Sequence, residues 1–468
     1  MLKILYLFTL ICTSLNLFSQ NTFVPNDNFE QALIDLGLDA EPLNDSVPTS
    51  AIDTLVYLNI SASGVNNMTG IEDFISLTHL ECAYNFLGTI DLSANIFLAE
   101  LNCENNNLTT LDLSSNLNLI SLKASRNNLS SLNVLMNVEL EYLEYEQNNI
   151  SSIDLSNNIH LKHYYCSENG MDELDISMNP ELLYFACEEN NLSELDVSIH
   201  PNLEMLACSQ NNLSTLDVSH NPLLKYLYCA GNNLPEIDVS NNTLLDWFLC
   251  ENNALAELNL FDNMGLTHLN CSGNPLINVD FTSNHSIKNL AVTGTNLDTI
   301  DVGNLLNLIH FRADSMPTLN SINIANGNNE NMITCWVNEC PELDCITVDS
   351  NYVETASAPE NFWKWQKDHS CVYSSRCGLV EDPESKPESK PENKVVLLIY
   401  PTVVINSVTI ESSELGDYSI FDIAGQQIRK GIIGEGMNFV DLNELSSGTY
   451  IFYLNDIRGQ YSQKIIKM

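Results

Sequence analysis

Cysteine is the residue type in this sequence that most suggests chemistry, because it recurs with asparagine and aspartate close by. The stretch LYCAGNNLPEIDVSNNTLL (Leu227–Leu245) contains Cys229, a pair of asparagines and Asp238. A thiol beside amides and a carboxylate could bind a metal ion or act as a nucleophile. Which of these roles is open to it depends on how the arrangement recurs along the chain and on the elements that hold it.

The arrangement recurs at a fixed period, as from Cys208 to Cys229 (229 − 208 = 21), and the unit is LxxLxCxxNxLxxLDVSxNxx. Asparagine follows the cysteine position in a series from Asn85 to Asn274, and a second series runs from Asn95 to Asn284, with His200 as its one interruption. The cysteine position itself is occupied by Cys82, Cys103, Cys166, Cys187, Cys208, Cys229, Cys250 and Cys271. Two half-units of about ten and eleven residues are nested in each unit. Each half has an alternating apolar stretch and an asparagine-rich turn, which predicts a short strand in both halves.

One such coil cannot bury its own apolar side, but a stack of coils can. We therefore predict a β-rich solenoid in which the cysteines point inward as small apolar residues. Disulfides along the stack, or metal binding, are the alternatives, although no His/Cys set with metal-ligand spacing recurs within a coil. The asparagine amides are expected to pair with main-chain groups left open by the turns. The repeat therefore builds a scaffold.

An aspartate column runs along the second half of the coils. With strands about 4.8 Å apart, neighbouring carboxylates would repel each other, and calcium could relieve that repulsion. The alternative is that each aspartate is solvated and bonds to its own turn. The calcium hypothesis concerns Asp154, Asp175, Asp196, Asp217 and Asp238.

Binding is the other function that the repeat allows, because the residues on either side of the central apolar residue of the first strand point outward. In the middle coils these positions are rich in aromatic residues, as binding surfaces often are. The alternative is that tyrosine and tryptophan are simply favoured on strands. The candidate ligand-binding residues are Tyr142, His163, Tyr165, Tyr184, Tyr226, Tyr228, Trp247 and His268.

Several function classes are disfavoured. The 468-residue chain has 61 Asp+Glu against 18 Lys+Arg, a net charge of −43. This charge argues against binding to nucleic acid or to an anionic membrane surface. The sequence contains no GxSxG, HExxH, phosphate-binding loop or dinucleotide fingerprint, so we predict no enzyme activity and no cofactor other than calcium. No stretch has the apolar length of a transmembrane helix, and the oligomeric state is left open.

The repeat resembles the leucine-rich repeats of bacterial surface proteins, in the nested 21-residue subclass, over 55–324. The stretch VPNDNFEQALIDLGLD resembles the helical N-terminal cap of that family, within 20–54, with Asn26 or Asn28 as N-cap. The segment 325–377 resembles the C-terminal cap and contains five cysteines. The resemblance implies a disulfide between Cys345 and Cys377, and a Cys335–Cys340 pair is a further guess.

The C-terminal segment differs in composition. A Pro/Glu/Ser/Lys linker over 378–394 precedes short alternating strands over 395–468, which predict a small antiparallel β-sandwich. The pieces IYP, FDIAGQQI, LSSGTYIFYL and KIIK resemble the type A sorting domain of the type IX secretion system, although Thr402 and Val403 depart from its usual Tyr-Pro-Asn-Pro. The resemblance implies a partner in that secretion machinery and anchoring at the cell surface, or release, in a Gram-negative bacterium.

Residues 1–19 combine one lysine, a short apolar run and small residues, which predicts a secretory signal peptide. Together these features predict a secreted or cell-surface leucine-rich-repeat protein that binds an extracellular protein, in protein–protein interaction or adhesion. A carbohydrate-binding surface protein is the first alternative, and a purely structural surface component is the second.

Overall fold

The computed structural model describes residues 20–358, 361 and 363–377, and then 398–400, 403–404, 407–412, 416–422, 426–433, 436–442, 444–456 and 459–467. The chain divides into two compact units, Met1–Leu379 and Val380–Met468. The predicted signal peptide (1–19) and linker (378–394) lie outside the described residues. No helix in the described part of the chain is long and apolar enough to cross a membrane.

The first unit begins with the cap that the sequence predicted. Strand β1 (Asn21–Phe23) pairs antiparallel with β2 (Ser46–Pro48), and α1 (Asp27–Asp35) and α2 (Thr49–Ile52) complete the cap. Asn26 is the N-cap of α1, because its side chain accepts a hydrogen bond from the Phe29 backbone N–H. Phe29 and Leu33 are fully buried against the first coil and close the apolar core.

The coils form one parallel sheet in which equivalent positions of successive repeats are in register. In each strand of the repeat the central residue is buried and its neighbours are more exposed, as the period-2 pattern predicted. The strands of this long sheet begin with β3 (Tyr57–Asn59), β4 (His79–Glu81), β5 (Glu100–Asn102), β6 (Ser121–Lys123), β7 (Tyr142–Glu144), β8 (His163–Tyr165), β9 (Tyr184–Ala186), β10 (Met205–Ala207), β11 (Tyr226–Tyr228), β12 (Trp247–Leu249), β13 (His268–Asn270) and β14 (Asn289–Ala291).

From there the strands alternate between the long sheet and a second parallel sheet. They are β15 (Thr299–Asp301), β16 (His310–Arg312), β17 (Ser321–Asn323), β18 (Thr334–Val337), β19 (Cys345–Thr347), β20 (Trp365–Lys367) and β21 (Val372–Ser374). The even-numbered strands bring the long sheet to 15, and the odd-numbered strands form a sheet of four. The segment interpreted as a C-terminal cap therefore continues both sheets, and it adds the helix α3 (Val353–Ser357).

The prediction of a second strand in every coil is wrong for most of the solenoid. Between residues 83 and 298, all of which are described, the strand-type pairing of the second halves is limited to one isolated bridge, Leu258 to Val279. In these halves the aspartates form local turns: Asp91 Oδ1, for example, accepts the Ser93 backbone N–H at 3.0 Å. Asp301 forms the same turn with the Gly303 N–H although it lies in the paired strand β15, so this turn is compatible with strand pairing.

Asparagine side chains connect successive coils, as predicted. In the first series, Asn232 Nδ2 donates to Cys208 O at 3.0 Å and Cys229 O at 3.1 Å, and its Oδ1 accepts from Leu213 N at 3.0 Å. In the second series, Asn242 Nδ2 donates to the carbonyls of Val218 and Asn221. These bonds satisfy buried main-chain groups that would otherwise cost free energy.

The eight repeat cysteines are buried and free in the core, which confirms their structural interpretation. Burial raises the pKa of the Cys103 thiol to about 12, so the thiols are neutral at physiological pH. Cys345 and Cys377 form the predicted disulfide. The guessed Cys335–Cys340 pair is wrong: both are free, since Cys335 is the inward residue of β18 and the Cys340 thiol bonds to Ala313 O.

The second unit has two sheets. Its strands are β22 (Leu398–Tyr400), β23 (Val403–Val404), β24 (Ser407–Ser412), β25 (Gly416–Asp422), β26 (Gln427–Ile433), β27 (Gly436–Asp441), β28 (Gly448–Asp456) and β29 (Gly459–Lys467). The sheet orders are β22-β24-β27 and β23-β29-β28-β25-β26, antiparallel except for the β23–β29 pair. Ile420 and Phe452 from one sheet share a buried core with Val440 from the other, as in a β-sandwich.

Candidate binding face

The candidate ligand-binding residues lie on the outer surface of the long sheet, which we call the aromatic face. It consists of the outward residues of β7 to β13, and the eight predicted residues are half-buried there. They form two columns, because the first and third residues of each strand flank the buried central residue. The parallel in-register sheet therefore brings side chains that are far apart in the sequence, from Tyr142 to His268, onto one surface.

The rings of the first column stack on one another. The ring centroids of Tyr142 and His163 are 5.6 Å apart, and those of His163 and Tyr184 are 5.1 Å apart with 4° between the planes. Trp247 and His268 stack at 3.9 Å. Met205 lies in register between Tyr184 and Tyr226 and separates the two groups of rings. The stacks restrict ring rotation, so the face can bind with little loss of side-chain entropy.

Hydrogen bonds to carboxylates orient the tyrosine hydroxyls. Tyr142 donates to Glu144 at 2.7 Å, and Tyr184 donates to Glu204 at 3.1 Å. Burial, together with the bond to Glu144, raises the pKa of Tyr142. Burial, together with the nearby Lys162, lowers the pKa of His163. At neutral pH this part of the face therefore presents neutral aromatic rings edged by carboxylates.

A recess lies at the C-terminal end of the face, with a volume of about 470 Å³. Its apolar floor includes Leu269, Leu290 and Phe311. Its walls are Trp247, His268, Asn289, His310, Arg312 and Trp336. A volume of this size falls within the range of small-molecule sites, about 300–1,000 Å³.

Sequence reasoning included Trp247 and His268 among the candidates but missed the rest of the recess. Trp336 was missed because the coil between it and Arg312, its neighbour in register, is longer than one repeat. A strict repeat therefore does not place Trp336 on the face. The signal that could have found it is the alternation in the stretch ITCWV, with Trp336 at an outward position.

The five aspartates of the calcium hypothesis lie away from the aromatic face, in the second halves of the coils. In each, Oδ1 accepts the backbone N–H of the serine two residues later at 2.9 Å. The hydroxyl and backbone of Ser156 lower the pKa of Asp154 in this way. No group of three or more His, Cys, Asp or Glu side chains among the described residues is arranged to hold a metal ion. Calcium binding by this column stays a prediction.

The fold and the two-unit organisation define a class: a leucine-rich-repeat solenoid followed by a sorting domain. The family model "Secretion system C-terminal sorting domain" matches residues 398–468. The functional domain of internalin J from Listeria monocytogenes, which includes a cysteine ladder, is similar in structure, with a TM-score of 0.64 and 24% identity over 96% of this chain and 98% of that one. The sorting domain marks the protein for secretion or for the outer cell surface.

Other relatives agree on the fold. Internalin F from Listeria monocytogenes superposes with a TM-score of 0.53 and 20% identity, covering 69% of this chain and 91% of that one. A leucine-rich-repeat protein of Leptospira interrogans gives 0.52 and 15%, covering 70% and 97%. In sequence, internalin J is 35% identical over 77 residues, which is 16% of this chain and 8% of that protein's length. Because the sequence identities of the superposed structures are low, these likenesses establish the architecture alone.

Proposed function

We propose that this protein binds an extracellular protein partner through its aromatic face, as an adhesion or interaction module at the cell surface. The observation that carries the proposal is the pair of ring stacks, Tyr142–His163–Tyr184 and Trp247–His268, on one continuous sheet. Half-buried aromatic residues in a fixed arrangement are the anchors that dominate protein interfaces. A repeat scaffold of this kind is typically a binding surface, in line with the prediction that the protein is not an enzyme.

The electrostatic setting supports a protein partner. Glu144 and Glu204 lie beside the tyrosines, and Lys225 forms an ion pair with Glu204 at 2.9 Å. Aromatic anchors surrounded by charged and polar groups reproduce the core-and-rim composition of protein interfaces. The charge of −43 favours partners with basic surfaces, which approach faster by electrostatic steering.

Site-specific photo-crosslinking tests this function. A benzophenone amino acid replaces Tyr184 or Tyr226 in the full chain, and in the control it replaces Leu244, which is exposed in the turn before β12. We expect the same partner protein to crosslink from both face positions and not from the control, and unmodified protein to compete it away. Equal crosslinking from Leu244, or none from the face, contradicts the proposal.

Carbohydrate binding is the second candidate function, and the recess at the end of the aromatic face favours it. Trp247 and Trp336 provide apolar ring surfaces, and the recess is of small-molecule size. Trp247 and His268 belong both to the recess and to the second ring stack, whereas Tyr184 and Tyr226 lie outside the recess, so crosslinking from these tyrosines tests protein binding separately.

A further inference from the structure

The recess exists because two short side chains interrupt the columns of the sheet. Asn289 and Ala291 on β14 lie in register with His268 and Asn270 on one side and with His310 and Arg312 on the other. Because adjacent strands lie about 4.8 Å apart, the backbone positions of His268 and His310 are separated by two strand spacings, about 9.6 Å. A flat aromatic ring that stacks on both histidine rings, at about 3.5–4.0 Å from each, fills only about 7–8 Å of this gap. The slot therefore suits a puckered, saturated ring better than a flat aromatic ring.

Charges of both signs lie around the recess. Arg312 lies in its wall. Burial is the largest effect on the pKa of His268 and lowers it; Asp246 acts in the opposite direction, and Lys288 and His310 lower it further. Two carboxylates are nearby, and both accept hydrogen bonds within the protein. Asp314 accepts from Arg312 Nε at 2.7 Å and from Asn338, and Asp246 accepts from the Thr267 hydroxyl.

Arg312 is held in place with much of its donor capacity unused. Its guanidinium lies 5.2 Å from the centre of the Trp336 ring, and its side chain is 55% exposed. The one hydrogen bond recorded for it among the described residues uses Nε, although a guanidinium has five N–H donors. The remaining donors can meet a carboxylate in a two-point contact, which is the geometry arginine recognises best.

We infer that the recess binds a carboxylated sugar residue, with the pyranose ring between His268 and His310 and the carboxylate on Arg312. The apolar C–H faces of a sugar ring suit the aromatic walls, and its carboxylate complements the free N–H donors of the Arg312 guanidinium. The inference rests on the second candidate function, carbohydrate binding, and names its ligand class. The sugar could come from a glycoprotein or from a free acidic polysaccharide, because both offer the same ring and carboxylate.

Matched probes separate charge from shape. Isothermal titration calorimetry of the full chain with tri-galacturonate and with its methyl ester compares one ring system with and without charge. Sialyllactose and its methyl ester make the same comparison for a glycoprotein-type sugar. We expect at least one carboxylated probe to bind at least tenfold more tightly than its neutral counterpart, and the stronger of the two identifies the source.

Matched variants locate the site. Asn289→Trp fills the recess and should abolish binding. Its control, Ser121→Trp, places the same side chain at the equivalent outward position of β6 and should leave binding unchanged. Arg312→Gln should weaken binding at least tenfold, whereas Lys123→Gln removes the same charge from the equivalent position of β6 and should leave binding unchanged. Each position is outward and partly exposed, so the fold is retained, and thermal melting verifies this.

Each other outcome overturns a defined part of the account. If neutral and charged probes bind equally well and Asn289→Trp abolishes both, the carboxylate inference is refuted and carbohydrate binding is supported. Equal effects of Arg312→Gln and Lys123→Gln refute the assigned site. If no probe binds, both the inference and the second candidate function are refuted. Crosslinking from Tyr184 and Tyr226 tests independently whether the aromatic face binds a protein.

Discussion

Replacing Asn232 with alanine tests the idea that asparagine ladders hold the coils together. Asn232 is 6% exposed and makes four main-chain hydrogen bonds, of which the one to Ala230 O is the longest, at 3.4 Å. The carbonyl of Cys208 keeps a second donor, Asn211 Nδ2, and that of Cys229 keeps Asn253 Nδ2. The Leu213 N–H, in contrast, loses the acceptor recorded for it, Asn232 Oδ1.

The cost follows from this difference. A buried N–H without a partner costs about 1–3 kcal/mol, and each of the two shorter bonds, to Cys208 O and Cys229 O, is worth about 0.5–1.5 kcal/mol net. Asn232→Ala should therefore destabilise the solenoid by about 2–6 kcal/mol. In the second ladder, the acceptors of Asn242 also accept from backbone N–H groups, and its own Oδ1 has no recorded partner. Asn242→Ala should cost about 1–3 kcal/mol.

Equilibrium urea unfolding followed by tryptophan fluorescence measures these costs. All four tryptophans belong to the first unit, so the signal is specific to the solenoid. Asn233→Ala is the matched control, because Asn233 is exposed and adjacent, and it should change stability by less than about 0.5 kcal/mol. If Asn232→Ala costs no more than Asn233→Ala, the ladder does not carry the stability assigned to it.

Three further predictions concern the core, the cap and the aspartates. Because burial raises thiol pKa values such as that of Cys103, the folded state keeps protons that the unfolded state releases. The free energy of unfolding should therefore fall as pH rises from about 9 towards 12. Cys103→Ala should reduce the slope of unfolding free energy against pH by about 1.4 kcal/mol per pH unit. A slope unchanged in that variant contradicts the assignment. Cys345→Ser should cost about 2–4 kcal/mol in the same urea assay, and an unchanged midpoint argues against a stabilising bridge. The calcium hypothesis predicts a higher melting temperature with calcium than with chelator, and identical melts refute it.

The long sheet could be predicted from the sequence because a single physical requirement repeats in it. Every coil must bury one apolar side and satisfy its turn, so Leu, Cys and Asn recur at fixed positions, and the inward or outward direction of each residue follows from alternation. The second half of the coil could not be predicted in the same way. Its apolar alternation resembles that of a strand both where the second halves pair, in β15, β17, β19 and β21, and where they do not, so alternation alone does not show whether the backbone pairs.

The candidate site was predictable only where the period is strict. The tyrosines of β7 to β11 follow the repeat and lie on one face as expected. The recess depends on the contrast between short Asn289 and its larger neighbours, and on Trp336, which lies beyond a longer coil. Such a cavity is a property of neighbouring strands, so it emerges when the register between them is known.

Binding by the aromatic face is the central claim, and a combined array of extracellular proteins and glycans tests it most directly. The labelled full chain is compared with the triple variant Tyr184→Ala/Tyr226→Ala/Trp247→Ala and with Leu223→Ala/Leu244→Ala/Met264→Ala, whose residues are exposed in turns of neighbouring coils. With aromatic anchors worth about 2 kcal/mol or more each, the triple variant should lose a protein ligand that the wild type and the turn variant both bind. Binding that survives in the triple variant, or that both variants lose equally, contradicts the account.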